Sequence, residues 1–152
     1  MPLDTIDKQL LAYLQQDSKK TNKELSLKLN LSVTAVFERI KKLERNGIVR
    51  RYVALIDPEK VNLGVIVFCH VKLAKHAKDA ITYFETEVKK LSEVLECFHV
   101  SGDYDYLLKV IVEDMEHFRQ FMVDKLTTLK YIGSTQSSFS IGEVKNTTEI
   151  TL

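Results

Sequence analysis

Cysteine is scarce: the 152-residue chain has two, Cys69 and Cys97. Two thiols build neither a disulfide framework nor a zinc site. Both lie in apolar, strand-like runs, where a buried free thiol is the expected state. No apolar run reaches the length of about 18 residues that a membrane-spanning helix needs, so no membrane partner is expected. The opening residues, Met1-Pro2-Leu3-Asp4, have neither a basic segment nor an apolar core. No secretory leader is read there, and a cytoplasmic protein is expected. Catalytic signatures are absent as well. There is no glycine-rich phosphate loop, no His-Glu-x-x-His, no Cys-x-x-Cys and no Ser/His/Asp neighbourhood for a fold to bring together. No enzyme, cofactor or metal site is therefore expected. His70, His76, His99 and His117 are scattered and read as structural.

What is present describes an ordered globular chain. Hydrophobic residues make up 45% and charged residues 28%, so disorder is not the default. The length suits one domain or two small ones. A net charge of +1 hides an asymmetry. Residues 1–52 carry eleven Lys/Arg against six Asp/Glu, or +5, and the remainder carries eleven against fifteen, or −4. A basic end on an otherwise acidic chain points to a polyanion as partner of that end.

The basic end also has the clearest pattern. Asp4 caps a first helix with Asp7 in its first turn, and Ile6, Leu10, Leu11 and Leu14 form its apolar stripe. Thr21 and Glu24 make a capping box for a second helix, and Asn30 stands where the chain must turn. Ser32 caps a third, with Leu31 and Val36 placed as a hydrophobic staple. Val36, Ile40 and Leu43 face inward, which leaves Thr34, Ala35, Glu38, Lys41 and Lys42 outside. Gly47 stops this helix. Two helices joined by a sharp turn, the second opening with small polar residues and continuing with lysines, suit a DNA major groove. The same geometry also serves plain helix packing, so the motif is a hypothesis by itself.

Residues 48–56 are β-rich and read as a wing or connecting strand, and Asp57-Pro58 marks a boundary. The expected domains are a winged helix-turn-helix over 1–50, a connecting strand and linker over 51–63, and a third segment over 64–152. Beyond Gly64 the pattern predicts a strand over 65–73, then a helix through Ala77, Ala80, Ile81, Phe84, Val88 and Leu91. A strand over 94–100 and another over 106–112 follow, joined by Gly102-Asp103-Tyr104-Asp105. Asp114 caps a helix with Met115, Phe118, Met122, Leu126 and Leu129 inward. A last strand runs over 132–144, with Gly133 and Gly142 allowing bulges. The order βαββαβ predicts a ferredoxin-like sandwich, four antiparallel strands with both helices on one face, and the whole chain is α+β. The other face, expected to include Phe68, His70, Cys97 or Phe98, and Tyr106, is solvated or buried against a second copy. A twofold homodimer also fits two DNA half-sites about one helical turn apart.

Three signatures in this order resemble the Lrp/AsnC (leucine-responsive, feast–famine) transcription regulators over nearly the whole chain. They are Leu3-Asp4 with Asp7; the run from Glu24-Leu25 through Leu31-Ser32, Val36, Arg39-Ile40 and Leu43-Glu44 to Gly47-Ile48; and Gly102-Asp103-Tyr104-Asp105 with Val144-Lys145. The resemblance implies a winged helix-turn-helix joined to a ligand-binding βαββαβ domain, dimers that assemble further, often to octamers, and an amino-acid effector. It places Ser32, Thr34, Ala35, Phe37 and Glu38 near base edges. Glu38 is suited to accept from a cytosine amino group and Ala35 to meet a thymine methyl. Lys41, Lys42, Arg50 and Arg51 are assigned to phosphates. Arg39 matches a family arginine and either touches DNA or braces the fold against an acidic neighbour.

The family places its effector beside the Gly102–Asp105 loop, between subunits. Asp103 or Asp105 offers an acceptor for the ammonium, the backbone around Gly102 offers amides for the carboxylate, and Tyr104 completes the loop. Ser134, Thr135 and Gln136 are candidates for the side-chain end of the pocket. As a metal site the loop lacks a histidine at ligand spacing. A competing function is a small-molecule sensor that regulates a protein partner through its helical end. A regulatory subunit of a metabolic enzyme is a third. Neither of these requires salt-dependent binding to a palindromic duplex.

Overall fold

The computed structural model describes residues 2–152; Met1, the first residue of the segment expected not to be a leader, lies outside them. The chain forms two compact units. One comprises the residues up to Leu55 together with Val144–Leu152, and the other is Ile56–Glu143. The sequence reading kept 64–152 in a single domain, whereas the tail from Val144 groups with the helical unit. Its attachment is specific: Gln15 Oε1 accepts from the Ile150 amide at 2.7 Å, and Gln15 Nε2 donates to the Ile150 carbonyl at 3.0 Å.

Three helices build the first unit: α1 (Thr5–Gln16), α2 (Asn22–Leu29) and α3 (Val33–Arg45). Each start is satisfied by its own sequence. Asp4 with Asp7, and Thr21 with Glu24, form reciprocal capping boxes, and Ser32 accepts from the Ala35 amide. Such caps stabilise a helix by about 1 kcal/mol each. Asn30 takes φ 53° and lets α2 end abruptly against α3. Leu10, Leu11, Leu14, Leu25, Leu29, Val36, Ile40 and Leu43 are the buried core.

The β-rich stretch after α3 is not a strand. The amides of Ile48 and Val49 turn back to the Leu43 carbonyl at 3.0 and 3.3 Å, closing the helix end. Residues 50–56 then enter no ladder. Tyr52, Val53, Leu55 and Ile56 have strand-forming side chains, but a strand exists only with a hydrogen-bonded neighbour, and none of the described residues pairs with them in a ladder.

The second unit is a four-stranded antiparallel sheet: β1 (Val65–Leu73), β2 (Val94–His99), β3 (Tyr106–Val112) and β4 (Ile132–Phe139), in the order β2-β3-β1-β4. Helix α4 (Lys78–Val88) and helix α5 (Met115–Gln120), which continues as a π-helix over Phe121–Leu126, cover one face. Val67, Cys69, Val71 and Leu73 from β1 alternate into this core with Tyr106, Leu108, Val110 and Val112 from β3.

Several expectations change. Tyr106 faces the helices, not the free face: it is 1% exposed, its ring lies 4.5 Å from Phe84, and its hydroxyl reaches Glu85 at 2.9 Å. Cys97 pairs with Leu108 and so shares the helix side, where it is exposed and not buried as expected, which leaves Phe98, opposite Leu107, on the open face with Phe68 and His70. Met115 is 56% exposed because it sits in the first turn, ahead of the inward stripe. Phe121, three residues after Phe118 and so on the same side of the helix, also enters the core at 2% exposed, and the wider π turn that follows is closed by the Thr127 amide on the Met122 carbonyl at 2.9 Å. The last strand stops at Phe139 because β1, its template, begins at Val65; the final bond runs from the Ser140 amide to the Ile66 carbonyl. Gly133 is the extra residue of a bulge opposite Lys72 and Leu73, where a Cβ would come within 3.1 Å of the Ala74 nitrogen.

Candidate functional site

The outer side of α3 exposes Val33, Thr34, Phe37, Glu38, Lys41 and Lys42, with Ala35 half-buried beside them. Ser32 spends one lone pair on the Ala35 amide at 3.1 Å and keeps its hydroxyl proton free to donate. Lys41 is constrained. Its ammonium donates to Glu44 at 2.9 Å and lies 5.8 Å from the Phe37 ring centroid. Tyr52 donates to the other Glu44 oxygen at 3.1 Å. Lys41, with Tyr52 adding to it, outweighs desolvation and holds the Glu44 carboxyl below its ordinary range. Lys42, Arg50 and Arg51 are exposed.

Of its two alternatives, Arg39 makes the bracing contact. Its Nη1 donates to Asp7 at 2.6 Å and to Asp4 at 2.7 Å, tying α3 to the start of α1. Asp7 is 3% exposed, so the arginine neutralises a buried carboxylate. Hydrogen bonds to Asp4 and then Asp7 raise its own pKa further. Arg39 is a brace.

In the sheet unit, the Gly102–Asp105 loop is fastened at two points. Gly102 takes φ 129°, a conformation that favours glycine. Asp105 Oδ2 accepts from the Leu73 amide at 2.7 Å and Oδ1 meets His76 Nε2 at 2.8 Å. Its own amide donates to the Val71 carbonyl at 2.9 Å. Desolvation pushes this carboxyl up, but the Leu73 amide and His76 together leave it below the usual carboxylate range. Tyr104 crosses the open face: its ring lies 5.2 Å from His70, and its hydroxyl donates to Gln136 Oε1 at 2.7 Å. Beneath it, His70 Nδ1 is buried with no hydrogen-bond partner among the described residues. Asp103 is exposed.

Period-two geometry separates the β4 candidates. Gln136 lies opposite His70 and Ser134 opposite Lys72, whereas Thr135 lies opposite Val71 on the helix side. Tyr104 and Gln136 therefore come together, and Thr135 does not join them. A cavity of about 350 Å³ lies at the far end of β3, among Ile111, Val112, Phe121, His117 and the Lys125–Glu93 ion pair. It contains none of the loop residues.

These two surfaces coincide with two known domains. A winged helix-turn-helix DNA-binding model matches residues 3–50, and the Lrp/AsnC ligand-binding domain model matches residues 66–150. The chain belongs to the Lrp/AsnC family of transcriptional regulators. The leucine-responsive regulatory protein of Escherichia coli K12 is 38% identical over 150 residues, covering 99% of this chain and 92% of that protein. A transcriptional regulator of Neisseria meningitidis, solved as a complex with L-Met, is 42% identical with a TM-score of 0.94, covering 98% of this chain and 96% of that one. An AsnC-family regulator from Agrobacterium tumefaciens is 37% identical with a TM-score of 0.93, covering 97% and 96%. These relatives are regulators, and the Lrp/AsnC family is not enzymatic.

Sequence reasoning missed Val33 on this Lrp/AsnC helix surface. Its signal was legible, an apolar residue four before Phe37 and off the Val36–Ile40–Leu43 stripe. It also missed His76 and His70 as partners of the loop. No local pattern marks them, because His76 reaches Asp105 across 29 residues of chain.

Proposed function

We propose that this Lrp/AsnC regulator binds a pseudo-palindromic operator in the cytoplasm as a homodimer, and that dimers assemble further, to octamers, under control of a free amino acid. The observation that carries the DNA reading is α3 itself. Its outer side is free of the core, opens with a donating Ser32 and Thr34, and is flanked by Lys42, Arg50 and Arg51. The open sheet face, where Phe68 and Phe98 remain 37% and 52% exposed, supports twofold symmetry. A second copy covers such a face at least cost.

For the effector, Asp103 is the better ammonium acceptor, since both oxygens of Asp105 are already engaged. Amides of the Gly102 turn suit the carboxylate. The L-Met complex of the 42% identical Neisseria protein supports an amino acid as the ligand class. Under this reading an amino acid acts by binding one assembly better than another.

Fluorescence anisotropy with a palindromic duplex, across a salt series, tests the DNA reading. Affinity that falls steeply and linearly on a log–log salt plot is expected. Absence of binding in dilute buffer would leave the protein-partner alternative. A thermal-shift screen of the twenty amino acids, followed by light scattering with any hit, tests the effector and the assembly.

A further inference from the structure

Val33 and Phe37 stand one turn apart on α3 and are 47% and 43% exposed. Neither joins the helical core, whose α3 members are Val36, Ile40 and Leu43. Side chains at i and i+4 are neighbours on one helix face, so the two form a short apolar strip. Apart from half-buried Ala35, the rest of that side is polar or charged. The strip is also held in place. The Lys41 ammonium lies 5.8 Å from the Phe37 centroid and is anchored by its 2.9 Å bond to Glu44. That contact limits the freedom of an exposed ring, which lowers the entropy lost when it docks.

The occupant of this strip is set by its surroundings. Lys42 and Arg45 follow along the helix, with Arg50 and Arg51 beyond, in a segment of net charge +5. A polyanion fits, and an apolar protein groove does not require such a rim. On the floor of the DNA major groove the thymine C5 methyl is the one apolar group a base presents. Four residues of helix rise about 6 Å, and successive bases are about 3.4 Å apart. We infer that Val33 and Phe37 read thymine methyl groups one to two base steps apart in each half-site, and so determine where the operator must carry thymine. This rests on the DNA-binding reading and adds the base and the chemical group to it.

The test uses the full chain and a duplex obtained by selection from a random library. Each thymine of the selected half-site is replaced in turn by deoxyuridine, which removes the C5 methyl and leaves every hydrogen-bonding edge unchanged. A loss of roughly three- to tenfold in affinity is expected at one or two thymines per half-site. In Phe37→Ala the same replacement costs nothing at the position Phe37 reads, whereas Phe37→Leu retains part of the effect. The salt slope stays as in the parent, since no phosphate contact is lost.

Equal binding of thymine and deoxyuridine duplexes at every position overturns the inference while leaving DNA binding intact. A change of oligomeric mass in Phe37→Ala, with the deoxyuridine sensitivity retained, also overturns it and gives the strip to a contact between copies. Failure to select any duplex sinks the DNA-binding reading itself.

Discussion

Arg39 Nη1 lies 2.6 Å from Asp7 Oδ1, joining the middle of α3 to the first turn of α1. Asp7 is 4% exposed at its side chain and Arg39 28%, so one end of the bond is dry and the other is open to water. Removing the arginine strands a buried carboxylate. Arg39→Met is expected to destabilise the protein by about 1–3 kcal/mol, the cost of one unsatisfied buried group and less than that of a fully buried pair because Arg39 remains partly solvated. Urea unfolding measures this. Asp7→Asn in the same background should recover part of the loss, which a purely steric effect of methionine would not allow.

Acid should weaken the same corner. The Asp7 amide first, and then Arg39, hold the Asp4 carboxyl below its ordinary value. The Thr21 amide and hydroxyl do the same for Glu24. A depressed carboxyl means that the folded chain binds fewer protons than the unfolded one. Stability from these groups is therefore fully present above an ordinary carboxylate pKa of about 4 and is lost as pH falls below it, through the lower folded values. Urea midpoints at neutral pH and stepwise into acid should show this fall, and Asp4→Asn should flatten it.

Lys41 and Lys42 are adjacent yet differ in circumstance. Lys41 already pairs with Glu44 at 2.9 Å, while Lys42 is exposed on the flank of the helix. Lys42→Ala should weaken binding to all duplexes alike and reduce the salt slope by about one unit. Lys41→Ala should reduce the slope by less, because its charge is partly balanced before DNA arrives. Equal changes in the two slopes would mean that the Glu44 pair opens on binding.

Tyr104 links the Gly102–Asp105 loop to the open sheet face through its 2.7 Å bond to Gln136. Tyr104→Phe keeps the ring on His70 and removes that bond. Global stability should change by about 1 kcal/mol or less, as for a solvent-exposed hydrogen bond. The affinity for the amino acid found by thermal-shift screening should fall severalfold by titration calorimetry, with Gln136→Leu showing a similar loss. Unchanged affinity in both variants would place the ligand away from this bond.

The elements most legible in the sequence are those whose pattern is local. Strands β1 and β3 fall on the expected residues because their apolar runs are bounded by turn residues, and the Thr21, Ser32 and Asn30 signals reproduce the two turns of the helical unit. Features that depend on a distant partner were not legible. Tyr106 reads as a surface residue until Glu85, 21 positions away, is seen to receive its hydroxyl. Phe121 stands three residues after Phe118, at the edge of the expected stripe, and its burial shows only once the helix is packed on the sheet. Residues 50–56 have the composition of a strand but no ladder partner among the described residues. Of the site, the helix surface was readable from periodicity, but Arg39 remained ambiguous between two roles until Asp4 and Asp7 were placed around it. Thr135 was grouped with Gln136 by adjacency alone, which a sheet's alternation forbids.

The link between Gln15 and Ile150 depends on a carboxamide that gives and receives at once. Hydrolysis of that amide to glutamate, a slow chemical change that proteins undergo in storage, would leave a group able to receive but not to give, facing a peptide oxygen of like polarity. The terminal segment would then come loose from α1. Aged preparations should accordingly become sensitive to carboxypeptidase while fresh ones resist it.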